Sequence, residues 1–329
     1  MKLIITLDYE LFLNDITGSV ENCLIKPTKN FQKVCSKHGI ASTIFVDAAY
    51  LYVLNKLKPA YPELREDYDA VVGNIKWLKS YGHDIQLHIH PQWYYSSFDG
   101  GKWILDWDHY KLSDMPEKDA FELFQKSKNL LDGIIDRPTV AFRAGGYSIQ
   151  GFDYVKCFKD NGIVADSSVL PGAYAISNTH TYDYRKIKDD VYRFSNDIRI
   201  KEDDGSFVEF PIASSDKVYI SKYLRTKRNW MTSENMNWGD GGDYPAQGKM
   251  AKIKKLLDSF SFFKHPHASI DYQSFFWLRN AFEHCGGQDV MTIIGHPKNF
   301  SEASLKYLDS FIADVISNGH SFTTIKNEI

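Results

Sequence analysis

Short apolar runs alternate with segments of helical period along the whole chain. The runs at 3–8, 41–47, 84–90, 139–143, 163–166, 207–212, 290–295 and 321–325 read as strands. Between them lie helices with recognisable ends. Pro27 opens one whose Phe31, Val34, Cys35 and His38 share a face, and Gly39 closes it. Tyr68, Val71, Val72, Ile75 and Leu78 form the stripe of the next, with Gly82 after it. A third begins near Pro116 and buries Ala120, Phe121, Phe124, Leu131 and Ile134. The last is capped by Ser301, runs through Leu305, Leu308, Ile312 and Val315, and stops at Gly319. Repeated strand–helix alternation predicts a parallel sheet with helices outside it. With about eight strands, the expected fold is α/β, a distorted (β/α) barrel of seven or eight mostly parallel strands.

Two segments break this rhythm. Residues 91–115 hold Trp93, Tyr94, Tyr95, Trp103, Trp107 and Tyr110; residues 213–250 hold Trp230, Trp238 and the run Gly239-Asp240-Gly241-Gly242-Asp243. Both are expected to be long loops over the barrel mouth, where loops of that size are usually functional. No internal repeat or interdomain linker interrupts the pattern, so residues 1–329 are expected to form a single domain carrying these two insertions.

Composition narrows the picture further. The 329 residues are 43% hydrophobic and 25% charged, as in ordinary globular chains. A formal charge of −3 gives no electrostatic case for nucleic acid or an anionic membrane. Aromatics reach 15% and many lie in polar stretches, which suits a surface that stacks on ring-shaped ligands. Cys23, Cys35, Cys157 and Cys285 have no tight metal spacing, and Cys35 falls on an apolar helix face. Only five largely apolar residues separate Met1-Lys2 from Asp8, and no run approaches the ~20 apolar residues of a membrane span. The expected location is cytoplasmic, and no feature specifies an oligomeric state.

The chemistry concentrates at strand ends. His88 and His90, at the end of Gly82-His83-Asp84-Ile85-Gln86-Leu87-His88-Ile89-His90-Pro91, point the same way because strand side chains alternate. Two imidazoles so placed suit a divalent transition metal, most often zinc, that needs a third ligand. Asp8 and Glu10 end the first run, Arg143 ends the fourth, and His296 follows the late run Val290-Met291-Thr292-Ile293-Ile294-Gly295. In (β/α) barrels the carboxyl ends of the strands carry the active site. The plainer alternative is that each histidine packs or hydrogen-bonds. For His83 a supporting or core role is expected, and for His265-Pro266-His267 a loop role.

Taken in order, these strand ends resemble the polysaccharide deacetylase superfamily, carbohydrate esterase family four and its relatives. Thr6-Leu7-Asp8-Tyr9-Glu10 looks like the family's first motif, usually Thr-Phe-Asp-Asp-Gly, and Gly82-His83-Asp84-Ile85 is similar to the Gly-His-Glu-Ile before its metal-binding histidines. Phe142-Arg143-Ala144-Gly145-Gly146-Tyr147 resembles the arginine motif, Ile293-Ile294-Gly295-His296 the strand that delivers the catalytic histidine, and Ala41-Ser42-Thr43-Ile44-Phe45-Val46 the second strand. The resemblance spans roughly residues 1–325. Two departures stand out: Tyr9 takes the place of the family's second aspartate, and His88-Ile89-His90 replaces His-x-x-x-His, the residue four after His88 being Gln92.

The resemblance implies a metal-dependent hydrolase that removes an N-acyl, usually acetyl, group from a sugar of a polysaccharide or its precursor. Asp8 would be the base, His296 the acid, and Arg143 would position Asp8. A divalent metal, with Zn2+ expected, would sit on Glu10, His88 and His90; alternatively Asp8 binds it and Glu10 faces solvent. Trp93, Trp103 and Tyr147 are the expected contacts to a carbohydrate substrate, and Asp166-Ser167-Ser168 and Phe210-Pro211-Ile212 the expected pocket walls. Two rival readings stay open: a glycosidase on a related barrel with Asp8 and another carboxylate as working pair, and a carbohydrate-binding protein with a decayed site.

Overall fold

The computed structural model describes residues 1–188, 190–214, 233–243, 267–271 and 278–329. Each apolar run forms a strand: β1 (Lys2–Tyr9), β2 (Thr43–Asp47), β3 (Asp84–Ile89), β4 (Ala141–Ala144), β5 (Ala165–Asp166), β7 (Phe207–Glu209), β8 (Val290–Gly295) and β9 (Ser321–Thr323), with β6 (Tyr192–Phe194) added at one edge. The sheet order is β6-β7-β5-β4-β3-β2-β1-β8, and β9 pairs with the start of β1. Among the described strands of this sheet, β6–β7 is the one antiparallel pair. The sheet curls so far that its ends meet: Ile212, just past β7, bridges Thr292 of β8, and Ala213 N–H donates to Thr292 O at 2.9 Å. The result is the distorted, mostly parallel barrel that the alternation of runs and helices predicts.

Both faces of the sheet are buried, which is why its strands read as continuous apolar runs. Ile4, Phe45, Ala141, Ala165, Val208 and Phe210 form one cluster, with Ile325 closing it from the chain's end. By the two-residue strand period, Asp8 and Glu10 extend the face of Ile4, and Arg143 that of Ala141. The polar site therefore sits directly on this apolar plug, with the Arg143 guanidinium 4.3 Å from the Phe45 ring centroid.

The outer layer comprises α1 (Lys26–His38), α2 (Ala48–Leu57), α3 (Pro62–Ser80), α4 (Glu117–Ile135), α5 (Tyr154–Asn161), α6 (Leu278–His284) and α7 (Glu302–Ser317). Gly39 ends α1 at φ 64°, a left-handed cap that glycine takes without strain. Ser301 caps α7, accepting from Ser304 N–H at 3.1 Å. No helix among the described residues is long and apolar enough to cross a membrane.

The aromatic insertion near 91–115, expected as a long loop, carries secondary structure of its own. It holds a 3-10 turn at Pro91–Tyr95, a hairpin of Ser97–Asp99 with Lys102–Ile104, and a second turn at Leu112–Asp114. Of the 213–250 insertion, residues 233–243 strap onto the loop after β1: Ile16 bridges Gly242, and Asp240 accepts from Ser19 and Asn22. Trp230, His265 and Pro266 lie outside the described residues. A further hairpin, Tyr174–Ile176 with Thr181–Asp183, stands beside the barrel.

Candidate active site

Parallel pairing sets the strand ends level. Asp47 lies opposite His88, and His88 opposite Arg143. They open onto a cavity of about 190 Å³ whose lining includes Asp8, Glu10, His88, His90 and His296.

The departure at the first motif follows from strand geometry. Tyr9 points away from Asp8 and donates its hydroxyl to Asn74 at 2.9 Å, whereas Glu10 returns to the face of Asp8. There Glu10 Oε2 lies 3.0 Å from His88 Nε2 and 2.5 Å from His90 Nε2. These three side chains bring ligand atoms within 4.8 Å of one another, and all are buried. His88 Nδ1–H donates to the Arg143 carbonyl at 2.7 Å, and a carbonyl only accepts, so Nε2 of the neutral ring carries a lone pair. That lone pair faces a carboxylate oxygen, and two acceptors in contact need a cation between them. Burial pulls the His88 imidazole down, but Asp8 and Glu10 outweigh it and raise it to about 9. Without metal a proton fills the gap, and metal binding must displace it. The donor set of two imidazoles and one carboxylate fits a divalent metal that keeps open positions. Gly145 makes room for the His90 ring, since a Cβ there would fall 2.8 Å from its Nδ1.

Lys298 holds the other oxygen of Glu10, donating to Oε1 at 2.8 Å and to the Leu11 carbonyl at 2.8 Å. Burial pushes the Glu10 carboxyl up, but Lys298 and the two histidines hold it well below the usual range. It is therefore a carboxylate with one oxygen tied and one turned to the imidazoles.

Asp8 is fixed on one side as well. Arg143 Nη1 donates to Oδ1 at 2.6 Å, while Nε and Nη2 bind the Ser167 carbonyl and hydroxyl at 2.7 Å each. Oδ2 lies 3.6 Å from His296 Nε2. Burial favours the neutral acid, yet Arg143, then His88 and His296, hold the Asp8 pKa below its ordinary value. His296 is oriented by Asp271, whose carboxylate accepts from the His296 backbone N–H at 2.7 Å and pairs with Nδ1 at 2.5 Å. Burial lowers the His296 pKa, but Asp271, Asp8 and Glu10 more than offset this and raise it.

The structure thus brings Asp8, Glu10, His88, His90, Arg143 and His296 together. Tyr147 also lines the cavity, held at φ 59° with its carbonyl accepting from Tyr184 O–H at 2.7 Å. A bulky residue in that region costs about 1–3 kcal/mol, a strain that here keeps Tyr147 at the mouth. Trp93 and Trp103 lie elsewhere. Trp93 is fully buried, packs on Tyr50 and Trp103, and donates Nε1–H to Asp47 at 2.8 Å. Trp103 is wedged among Tyr50, Trp93 and Phe98. Neither ring lines the cavity, because the turn after His90 folds back onto α2 instead of over the mouth.

Three residues escaped the sequence reading. Asp47 accepts from the His90 backbone N–H at 3.2 Å and so fixes that ligand's main chain. It ends a strand read from the sequence, and its carboxylate was the signal to follow. Asp271 lies two residues past Ser269, which bridges Ile294 beside β8. Lys298 lies two residues beyond His296 in a 3-10 turn.

His83 is a core group: Ser42 N–H donates to Nδ1 at 3.1 Å, Nε2 contacts Gln32, and burial lowers its pKa to about 4. His267 bridges Ser214. Ser167 supports Arg143 from behind, and Asp166 and Ser168 bond each other rather than line the cavity.

No known family profile and no curated protein sequence matches the chain. Among solved structures it is similar to a protein described as a probable polysaccharide deacetylase from Pseudomonas aeruginosa PAO1, with TM-score 0.50, 12% identity, and 99% of this chain and 88% of that one covered. It is also similar to a GH57 branching enzyme from Thermococcus kodakaraensis, with TM-score 0.50, 11% identity, and 99% and 70% covered. A peptidoglycan deacetylase from Bacillus subtilis aligns over 99% of this chain and 88% of its own, at 9% identity and TM-score 0.36. At TM-score 0.50 and 11–12% identity, the first two of these show the fold alone.

Proposed function

We propose that this chain is a metal-dependent hydrolase that removes an N-acyl group, acetyl in the simplest case, from a sugar. The observation that carries the reading is the meeting, in one cavity, of the Glu10–His88–His90 donor set with Asp8 and with the His296–Asp271 pair. A divalent metal on those donors, zinc by their chemistry, would polarise an acyl carbonyl and lower the pKa of water towards about 7. Asp8, tied to Arg143 through Oδ1, takes the water's proton at Oδ2. His296 delivers a proton from Nε2 to the departing nitrogen, its ring held by Asp271 at Nδ1. Lys298 keeps Glu10 ionised and turned to the imidazoles.

The glycosidase alternative needs two carboxyl groups on opposite sides of a sugar. Asp8 and Glu10 instead come from one strand face, and each has an oxygen held by a cation. Incubation with N-acetylated mono- and oligosaccharides tests the reading. Equal amounts of acetate and free amine are expected, abolished by a chelator and restored by zinc. New reducing ends without acetate would overturn it in favour of a glycosidase.

The pH profile carries a second expectation. The reaction needs Asp8 ionised and His296 protonated. The lowered Asp8 pKa and the raised His296 pKa widen the window in which both hold, and His296 governs the alkaline limb. Asp271→Asn removes the largest influence raising His296, so the alkaline limb of kcat should move to lower pH. A limb that stays in place would assign it to another group.

A further inference from the structure

Two fully buried acids lie behind the site, and the hydrolysis as described does not use them. Asp166 ends β5 and Glu209 ends β7, and they stand opposite each other in the parallel ladder, so their side chains share a face. The two carboxyl groups meet there. Asp166 uses both oxygens on Ser168, accepting from its N–H at 2.7 Å and from its hydroxyl at 3.0 Å. Glu209 accepts the Val169 N–H on Oε1 at 3.0 Å, and among the described residues no N–H or O–H is aimed at Oε2. Ionised carboxylates only accept, so two in contact need a proton between them. Asp166, with two donors from Ser168, is the better anion; Glu209 is the better acid. Burial raises Asp166 to about 6, with Glu209 and Ser168 holding it from going higher, whereas burial and the Asp166 charge push Glu209 well above the ordinary range. Arg143 of β4 and the phenols of Tyr154, Tyr184 and Tyr192 also stand near the pair.

What the pair grips is the corner Ser167-Ser168-Val169 that follows β5, and this corner holds Arg143. The Ser167 carbonyl and hydroxyl accept from Nε and Nη2 at 2.7 Å each, and the same hydroxyl donates to the Phe210 carbonyl at 2.7 Å. The Ser168 hydroxyl accepts from the Ala144 N–H, next along β4 from Arg143, at 2.9 Å. With Nε and Nη2 tied to the corner, the planar guanidinium points Nη1 at Asp8 Oδ1, 2.6 Å away. The direction of that bond depends on where the corner lies, and a general base has to be held to within about 0.5 Å.

We propose that Asp166 and Glu209 share one proton, carried by Glu209, and act as positioning residues that fix the 167–169 corner and through it aim Arg143 at Asp8. This rests on the hydrolase reading of Asp8 and extends its machinery beyond the cavity. The test is made on the full-length chain. Glu209→Met fills the space without a carboxyl, so kcat should fall about 10²-fold, the scale of a misplacement of about 1 Å, with KM and bound zinc nearly unchanged. Glu209→Gln should restore most of it, since its amide oxygen accepts from Val169 and its N–H replaces the shared proton. Asp166→Asn should not be tolerated in the same way, because its N–H groups would confront the two Ser168 donors. In an Arg143→Ala chain Glu209→Met should add little, as residues acting through one another are not additive. Near-parental kcat in Glu209→Met, an equal loss in Glu209→Gln, or a full further loss on top of Arg143→Ala would each overturn the proposal. Should Glu209→Met fail to fold, Asp166→Asn takes its place against Glu209→Gln, and equal kcat in those two would overturn it. A parent that releases no acetate would refute the hydrolase reading alone. The pair is then judged by crystal structures: Arg143 Nη1 should leave Asp8 in the damaging variant and stay on it in Glu209→Gln, and an Nη1 unmoved in both would overturn the assignment.

Discussion

Asp8→Asn is expected to keep its metal and lose at least about 10²–10⁴-fold in kcat, the usual contribution of a positioned general base. The amide is isosteric and retains an oxygen for the Arg143 Nη1 contact now made at 2.6 Å, so the guanidinium and its bonds to Ser167 should stay in place. What disappears is the lone pair at the other oxygen, on the side of His296. Glu10→Gln should behave differently. It removes the charge that faces both imidazoles and that Lys298 neutralises, so metal affinity falls and excess zinc partly restores activity. Elemental analysis beside single-substrate kinetics separates the two. A metal-free Asp8→Asn with a metal-bound, inactive Glu10→Gln would exchange their roles, and near-normal turnover in both would remove the hydrolytic carboxylate from β1 altogether.

The second large effect concerns the imidazoles. His88→Ala and His90→Ala should each weaken metal binding by more than about 100-fold, beyond the 10–100-fold typical of losing a residue that merely supports a ligand. Both rings are buried at the ends of a central strand, but the apolar cluster beneath them does not depend on either. Circular dichroism of the variants should therefore match the parent while bound zinc drops. Full metal occupancy in both would refute the proposed ligand pair.

What the sequence revealed depended on how much of each element's environment its side chains advertise. The sheet was legible because its strands are buried on both faces, so every apolar run marked one. Helix α2 was not, because Ala48, Ala49, Tyr50, Leu51, Val53 and Leu54 are all buried and leave almost no polar face to set a period. The three-residue strands of the two hairpins and of β6 are too short for alternation to emerge.

The site followed the same logic. Asp8, Glu10, His88, His90, Arg143 and His296 lie at or just past the ends of visible strands, and Glu10 was reached only through the family's first motif, although strand parity puts it rather than Tyr9 beside Asp8. The tryptophans could not be placed that way. An aromatic residue in a polar stretch does not disclose which way its turn folds, and Trp93 turned inward to bind Asp47. Asp271 and Lys298 were hidden for a related reason: each acts through a contact with a residue distant along the chain or on a separate turn, Lys298 reaching Glu10 across 288 positions.

The most direct test is a crystal of the full-length chain grown with zinc and measured on either side of the zinc absorption edge. A single strong anomalous peak is predicted at about 2.0–2.2 Å from Nε2 of His88, Nε2 of His90 and a carboxylate oxygen of Glu10. The absence of a peak in that cavity, with zinc bound elsewhere or not at all, would contradict the metal-dependent account.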